Sequence, residues 1–269
     1  MSTITLSVWD LSIASVLVLI LAGLSIWSQL GLGKKILWAA LRTAVQLTLV
    51  GFVLEILFSH VSFFSVLTMS MLMLLIAGWE IWSRQERPLR GFRGYSIGLT
   101  AMFLSSFTTA VFSLLVIFQP EPWYTPQYSI PLLGMLLGNT MTGISLAMDR
   151  MTESAWVNRS IIEQRLLLGQ SFQEASAAYC RKSYYVGLIP IINSMAAAGI
   201  VHLPGMMTGQ ILAGNSPFEA AKYQIMIMFL ITAGMGFGTM IAIRLTSAYL
   251  FDERDRLRLD RIQNNQNHE

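Results

Sequence analysis

One cysteine, three histidines and few charges leave this chain little with which to do solution chemistry. Cys180 has no second thiol to pair with, so no internal disulfide is available, and no Cys/His cluster has zinc spacing. The phosphate-loop pattern G-x-x-x-x-G-K-[ST] is absent, as is any polar stretch long enough for a nucleotide-binding domain. ATP hydrolysis, if the protein depends on it, is therefore expected on another chain. No arrangement of Ser, His and carboxylate residues reads as a catalytic triad, and no carboxylate falls near the middle of an apolar run. Only 12% of the 269 residues are charged, against roughly 25% in soluble domains. No Lys or Arg precedes the first apolar run and no small-residue cleavage site follows it. That run is expected to stay in place rather than leave as a signal peptide.

What is present is hydrophobic length. Residues of the apolar set make up 54% of the chain, gathered into runs near the ~20 residues a helix needs to cross a ~30 Å hydrocarbon core. Lipid offers backbone amides no partners, so such runs must be helical. The reading is an all-α polytopic membrane protein with about seven transmembrane helices, at residues 8–27, 36–58, 63–82, 95–118, 130–148, 186–201 and 223–250. The sixth run is short and carries Pro190 and Asn193.

Basic residues set the orientation. Lys34 and Lys35 follow the first run, Arg84 to Arg93 the third, Arg150 to Lys182 the fifth and Arg254 to Arg261 the seventh. The connections after the second and fourth hold no Lys or Arg, and the one after the sixth holds only Lys222. Seven spans satisfy this alternation, with the N-terminus outside and the C-terminus cytoplasmic. Residues 1–251 read as one transmembrane domain in the plasma membrane (the inner membrane of a Gram-negative cell). Residues 252–269 read as a charged cytoplasmic tail that frays into Gln/Asn-rich disorder. The Arg84–Arg93 run serves topology and anionic lipid rather than nucleic acid.

The longest inside connection, residues 149–185, is amphipathic. Ile161, Ile162, Leu166 and Leu167 recur at helical spacing with charges between them. Gly169 stops that helix, and Ser171 with Glu174 forms a capping box that opens another. The pattern predicts a short bent element projecting from the membrane.

Here the chain resembles a known family. Glu163-Gln164-Arg165-Leu166-Leu167-Leu168-Gly169-Gln170-Ser171, followed by Leu188-Ile189-Pro190, is similar to the cytoplasmic "EAA" loop of ATP-binding-cassette transporter permeases, with Gln164 and Arg165 in place of two alanines. Three further stretches resemble FetB/YbbM-type permeases. They are Ile130-Pro131-Leu132-Leu133-Gly134-Met135 with Gly138-Asn139, then Leu203-Pro204-Gly205-Met206-Met207-Thr208-Gly209, then Ala221-Lys222-Tyr223-Gln224-Ile225. Those permeases were long grouped as an uncharacterised family and are associated with iron export; plant aluminium-tolerance half-transporters are similar. The resemblance implies a permease subunit that exports iron or a related metal, with no cofactor of its own. ATP and Mg would sit on a separate ATPase subunit, and two permeases would pair. It also implies that Glu163, Leu166, Leu168, Gly169, Ser171 and Glu174 couple to that ATPase.

Gly134/Gly138, Gly205/Gly209 and Gly234/Gly238 each form Gly-x-x-x-Gly, which lets helix backbones approach closely. Helix packing is the plain reading. The functional one is a pathway lined by Asn139, Thr142, Asn193, Met206, Met207 and Gln210. Glu55, His202 and Met206 are candidate ligands for a metal near the outer face, since thioether and imidazole suit softer ions; methionine used as adaptable packing is the competing explanation. Arg42 and Gln46 share a helix face, with snorkelling explaining the arginine, and Glu80 between Trp79 and Trp82 reads as an interfacial anchor. The rival to the permease is a secondary transporter, or another seven-helix membrane protein without an ATPase. A secondary carrier favours deep carboxylates, a membrane enzyme paired intramembrane His or Asp, and a seven-helix receptor lacks the bent element.

Overall fold

The computed structural model describes residues 7–263 of the protein, and among them every regular element is helical. Six helices are long and apolar enough to cross a membrane: Trp9–Trp27, Gly33–Ser59, Phe63–Ser83, Phe92–Phe118, Pro126–Val157 and Pro217–Leu250. The chain packs as two compact units, one holding the first two helices with Leu212–Asn215, the other holding the rest.

In the first unit α1 (Val8–Trp27) begins at Ser7, whose hydroxyl accepts from the Asp10 amide while the Asp10 carboxylate accepts from Ser7 N–H. After α1 the chain reverses through Gln29 and Gly31, both at positive φ, into α2 (Gly33–Ser59). Gly33 is required at that reversal, because a Cβ there would lie 2.6 Å from Ile26 and 2.9 Å from the Ala22 carbonyl.

The second unit is built around α6 (Pro126–Val157), which packs on α3 (Phe63–Ser83), α8 (Phe172–Ala197) and α10 (Pro217–Leu250). Its buried stripe of Leu136, Ile144, Met148 and Met151 recurs at helical spacing and carries the core, with Met235, Leu250, Ile81 and Met102 against it. At 32 residues, roughly 48 Å of helix, α6 extends past the predicted 130–148 span at both ends and is longer than a ~30 Å hydrocarbon core.

Two differences from the sequence reading matter. The rod from Phe92 to Phe118 is not one regular helix: α4 (Phe92–Met102) and α5 (Thr108–Phe112) alternate with π turns at Phe103–Phe107 and Ser113–Phe118. The Ser105 hydroxyl donates to the Ala101 carbonyl at 2.7 Å and that of Ser113 to Thr109 at 2.6 Å. Each occupies the acceptor one α-turn back, which favours a wider turn. The second difference lies at the predicted sixth span, residues 186–201. Helix α8 starts earlier, at Phe172, and ends earlier, at Ala197. Glu174, Arg181 and Lys182 occupy its first turns, leaving residues 183–197, roughly 22 Å of uncharged helix. The chain then turns through Gly199 into the short α9 (Gly205–Leu212) before α10. The Gln/Asn-rich end expected to be disordered, residues 264–269, lies outside the described residues.

Candidate functional site

At the end of α6, Asn158 breaks the helix, and its amide donates to the Ser154 carbonyl at 3.0 Å. There α7 (Arg159–Leu167) turns away. It is anchored by Ile162, 1% exposed, and by Leu166 against the core. Gly169 then adopts φ +87°, and Ser171 caps α8 with its hydroxyl facing the Glu174 amide while the Glu174 carboxylate accepts from Ser171 N–H at 2.9 Å. Those bonds hold the Glu174 carboxyl below its ordinary range. Helix, left-handed glycine and capped helix are as the sequence predicts, but the second helix is no short element, since it continues as α8.

This geometry sorts the six residues proposed for coupling. Ser171 and Glu174 spend their polar groups on the cap, Gly169 makes the elbow, and Leu166 faces inward. Glu163 and Leu168 point to solvent. Beside them stands Leu167, which helical spacing places with the apolar residues of α7 but which packing leaves bare: Leu167 is 87% exposed and Leu168 83%. Two large apolar side chains thus stand bare at the tip of a polar elbow.

Beneath the elbow lies a structure the sequence reading missed. The segment after α10 turns on Asp252, whose carboxylate accepts from the amides of Arg254 and Arg256 and pairs with the Arg256 guanidinium at 2.7 Å. These bonds pull the Asp252 pKa down to about 2. The chain then folds back. The Arg258 amide donates to Leu250, Arg90 N–H donates to Arg261 at 2.7 Å, and Gln263 N–H donates to Pro88 at 2.9 Å. Ile262 is buried against Leu89, and the Arg261 guanidinium lies over the Tyr249 ring and donates to the Phe251 carbonyl. Residues 252–263 thus clip the end of α10 to the α3–α4 connection. The only sequence signal for this was Leu257, Leu259 and Ile262 spaced among the charges.

The pathway candidates are not gathered inside the chain. Asn139 is exposed on α6 with its amide on the Met135 carbonyl, Thr142 bonds Gly138, and Asn193 is exposed on α8. Met207 and Gln210 are half-buried on α9, and Met206 packs against the core, which favours the packing explanation for it. His202 sits in the turn before α9 with its amide on Ala197, and Glu55 is exposed on α2. Among the described residues no three His, Cys, Asp or Glu side chains come together. Glu80 is 9% exposed and accepts from Arg84 at 3.0 Å, while Arg244, an ionisable residue within the last span, is exposed.

Of the three Gly-x-x-x-Gly pairs, Gly234/Gly238 packs within the chain. A Cβ on Gly238 would lie 2.6 Å from the Ser105 hydroxyl and 2.7 Å from Thr140. Gly138, Gly205 and Gly209 have nothing within 4 Å. A crossing not apparent from the repeats joins α6 to α8, where a Cβ on Gly143 would meet the Gly187 carbonyl at 3.0 Å and one on Gly187 the Gly143 carbonyl at 2.7 Å.

Residues 8–251, nearly the whole described chain, match the uncharacterised protein family UPF0014. The chain belongs to the UPF0014 family. Among its relatives, the UPF0014 membrane protein slr1647 of Synechocystis is 39% identical over 86% of this chain and 88% of its own. The probable iron export permease protein FetB of Escherichia coli is 32% identical over 92% and 93%. The protein ALUMINUM SENSITIVE 3 of Arabidopsis thaliana is 31% identical over 88% and 83%. No solved structure matches. This UPF0014 chain is a multi-pass membrane permease. The elbow and α9 fall inside the family match, and the clip at 252–263 follows it.

Proposed function

We propose that this chain is the membrane subunit of an ATP-binding-cassette exporter of iron or a related metal species. A separate ATPase subunit, carrying ATP and Mg, drives it, and two permease copies pair in the plasma membrane. The exposed Leu167–Leu168 tip carries the reading. A tip of this kind, fixed by Gly169 and the Ser171 cap at the end of two long helices, passes a push from a docked partner into α6 and α8 as rigid bodies. The basic-residue alternation supports a cytoplasmic elbow, with α8 as a seventh, short crossing and the N-terminus outside. The name of the Escherichia coli relative supports iron as cargo and export as direction.

Asn139 and Asn193, exposed on α6 and α8, and the half-buried Thr142 fit a pathway that a second copy completes, with Gln210 and Met207 at its outer end. The test is co-purification of the detergent-solubilised chain with the ATPase encoded beside it, then ATP turnover with and without ferrous iron. A complex stimulated by iron is expected. A complex indifferent to iron refutes the cargo, and failure of any complex to form refutes the ATPase-driven permease and favours a secondary carrier.

A further inference from the structure

Where the second π turn meets the start of α10, the surface is hollowed into a groove of about 370 Å³ lined by Ile117, Ile225, Phe229 and Leu230. It opens at one end into a second hollow of about 280 Å³ that shares Ile117, Lys222 and Met226 and adds Glu219. One end is thus wholly apolar and the other carries a pair of opposite charges. Lys222 Nζ lies 2.7 Å from Glu219 Oε1, both side chains being 56% exposed, and 4.8 Å from the Phe218 ring centre. Phe118 and Tyr223 stack at 6.4 Å beside them, a pairing suited to headgroup depth.

We infer that this groove holds one phospholipid with a primary-amine headgroup, of the phosphatidylethanolamine type. Three observations converge on it. Residues 222, 225, 226, 229 and 230 recur at helical spacing, so the groove follows a single face of α10. From Glu219 to Leu230 it runs about 16 Å along the axis, the depth of one leaflet in a ~30 Å core. The charge pair matches the headgroup: the phosphate meets the Lys222 ammonium, and the lipid ammonium, with its N–H donors, meets the Glu219 carboxylate. A trimethylated choline headgroup has no such donors, and a glycerol headgroup leaves Glu219 facing a net anion. The seated chain lies against Ile117, within the Ser113–Phe118 π turn, so its presence bears on the shape of the α4–α5 rod. Placing the lipid in the outer leaflet rests on the proposed topology; the lipid class does not.

The experiment is native mass spectrometry of the full chain, without any ATPase, in detergent with equal amounts of phosphatidylethanolamine, phosphatidylcholine and phosphatidylglycerol of identical acyl chains. One phosphatidylethanolamine per chain is expected, about tenfold preferred over either competitor. Glu219→Gln is expected to erase the preference over phosphatidylcholine, Lys222→Gln to lower retention of all three lipids, and Ile225→Trp to block the groove. Both charges are exposed, so their variants leave folding intact. Equal retention of the three lipids by the unaltered chain overturns the inference, as does unchanged retention in Ile225→Trp. Loss of dimer in Ile225→Trp without loss of lipid assigns the groove to a second copy and equally overturns it.

Discussion

Phe172, the first residue of α8, packs its ring 5.3 Å from that of Phe251, the residue that ends α10. One ring opens the helix that leaves the elbow and the other opens the segment that clips α10 to the α3–α4 connection. The contact ties the elbow to the clip, and under the proposed coupling a force on the Leu167–Leu168 tip would be shared between α8 and α10. Phe251 is 4% exposed, and Phe251→Ala should cost about 3 kcal/mol of stability. The expected signature is a lower melting temperature together with weaker ATPase stimulation; a lower melting temperature with normal stimulation would confine the contact to stability.

Leu167→Ser with Leu168→Ser should abolish capture of the ATPase subunit while changing chain stability by less than about 0.5 kcal/mol, because exposed side chains contribute little to folding. Pull-down and thermal melting of the same preparation measure both. Normal capture would remove the elbow from the coupling model.

Two glycines four residues apart should respond differently. Gly238→Ala forces its new methyl against the Ser105 hydroxyl at 2.6 Å and should cost about 1–3 kcal/mol. At Gly234 the nearest atoms, of Leu136 and Thr140, stand off at 3.5 Å, so Gly234→Ala should be nearly neutral. Equal losses would mean that α10 does not approach the rod as described.

The clip should be insensitive to pH over the physiological range. The carboxylate of Asp252 has its pKa lowered from 3.8 to about 2, so its stabilising effect is complete above the ordinary value and fades as pH falls through the lowered one. Protection of the Arg254 and Arg256 peptide bonds, read by hydrogen exchange, should hold from pH 8 to 5 and fail only in strong acid. Asp252→Ala, which removes the Oδ1 that both amides donate to, should lose that protection at every pH.

The six long apolar helices and the elbow were legible in the sequence for a physical reason. Apolar length and capping chemistry are local, and lipid leaves the backbone no option but helix. Local patterning also marked Gly169 and the Ser171–Glu174 box, because a left-handed residue and a reciprocal cap depend on neighbours three residues away. It could not say which of the apolar residues 161–168 stays bare, since that is decided by what Ile162 and Leu166 pack upon. Nor could it find the π turns, which need a particular hydroxyl on a particular carbonyl.

Tertiary structure alone decided the rest. The Gly143–Gly187 crossing joins helices with no common repeat. The clip holds residues 252–263, whose composition reads as solvated, by backbone bonds to Pro88 and Arg90 and by burial of Ile262 on Leu89. It also placed Asn139 and Asn193 on the outside of the chain. A sequence shows that a residue is polar and mid-span, but only packing shows whether it faces its own core or the surface where lipid or a second copy must meet it.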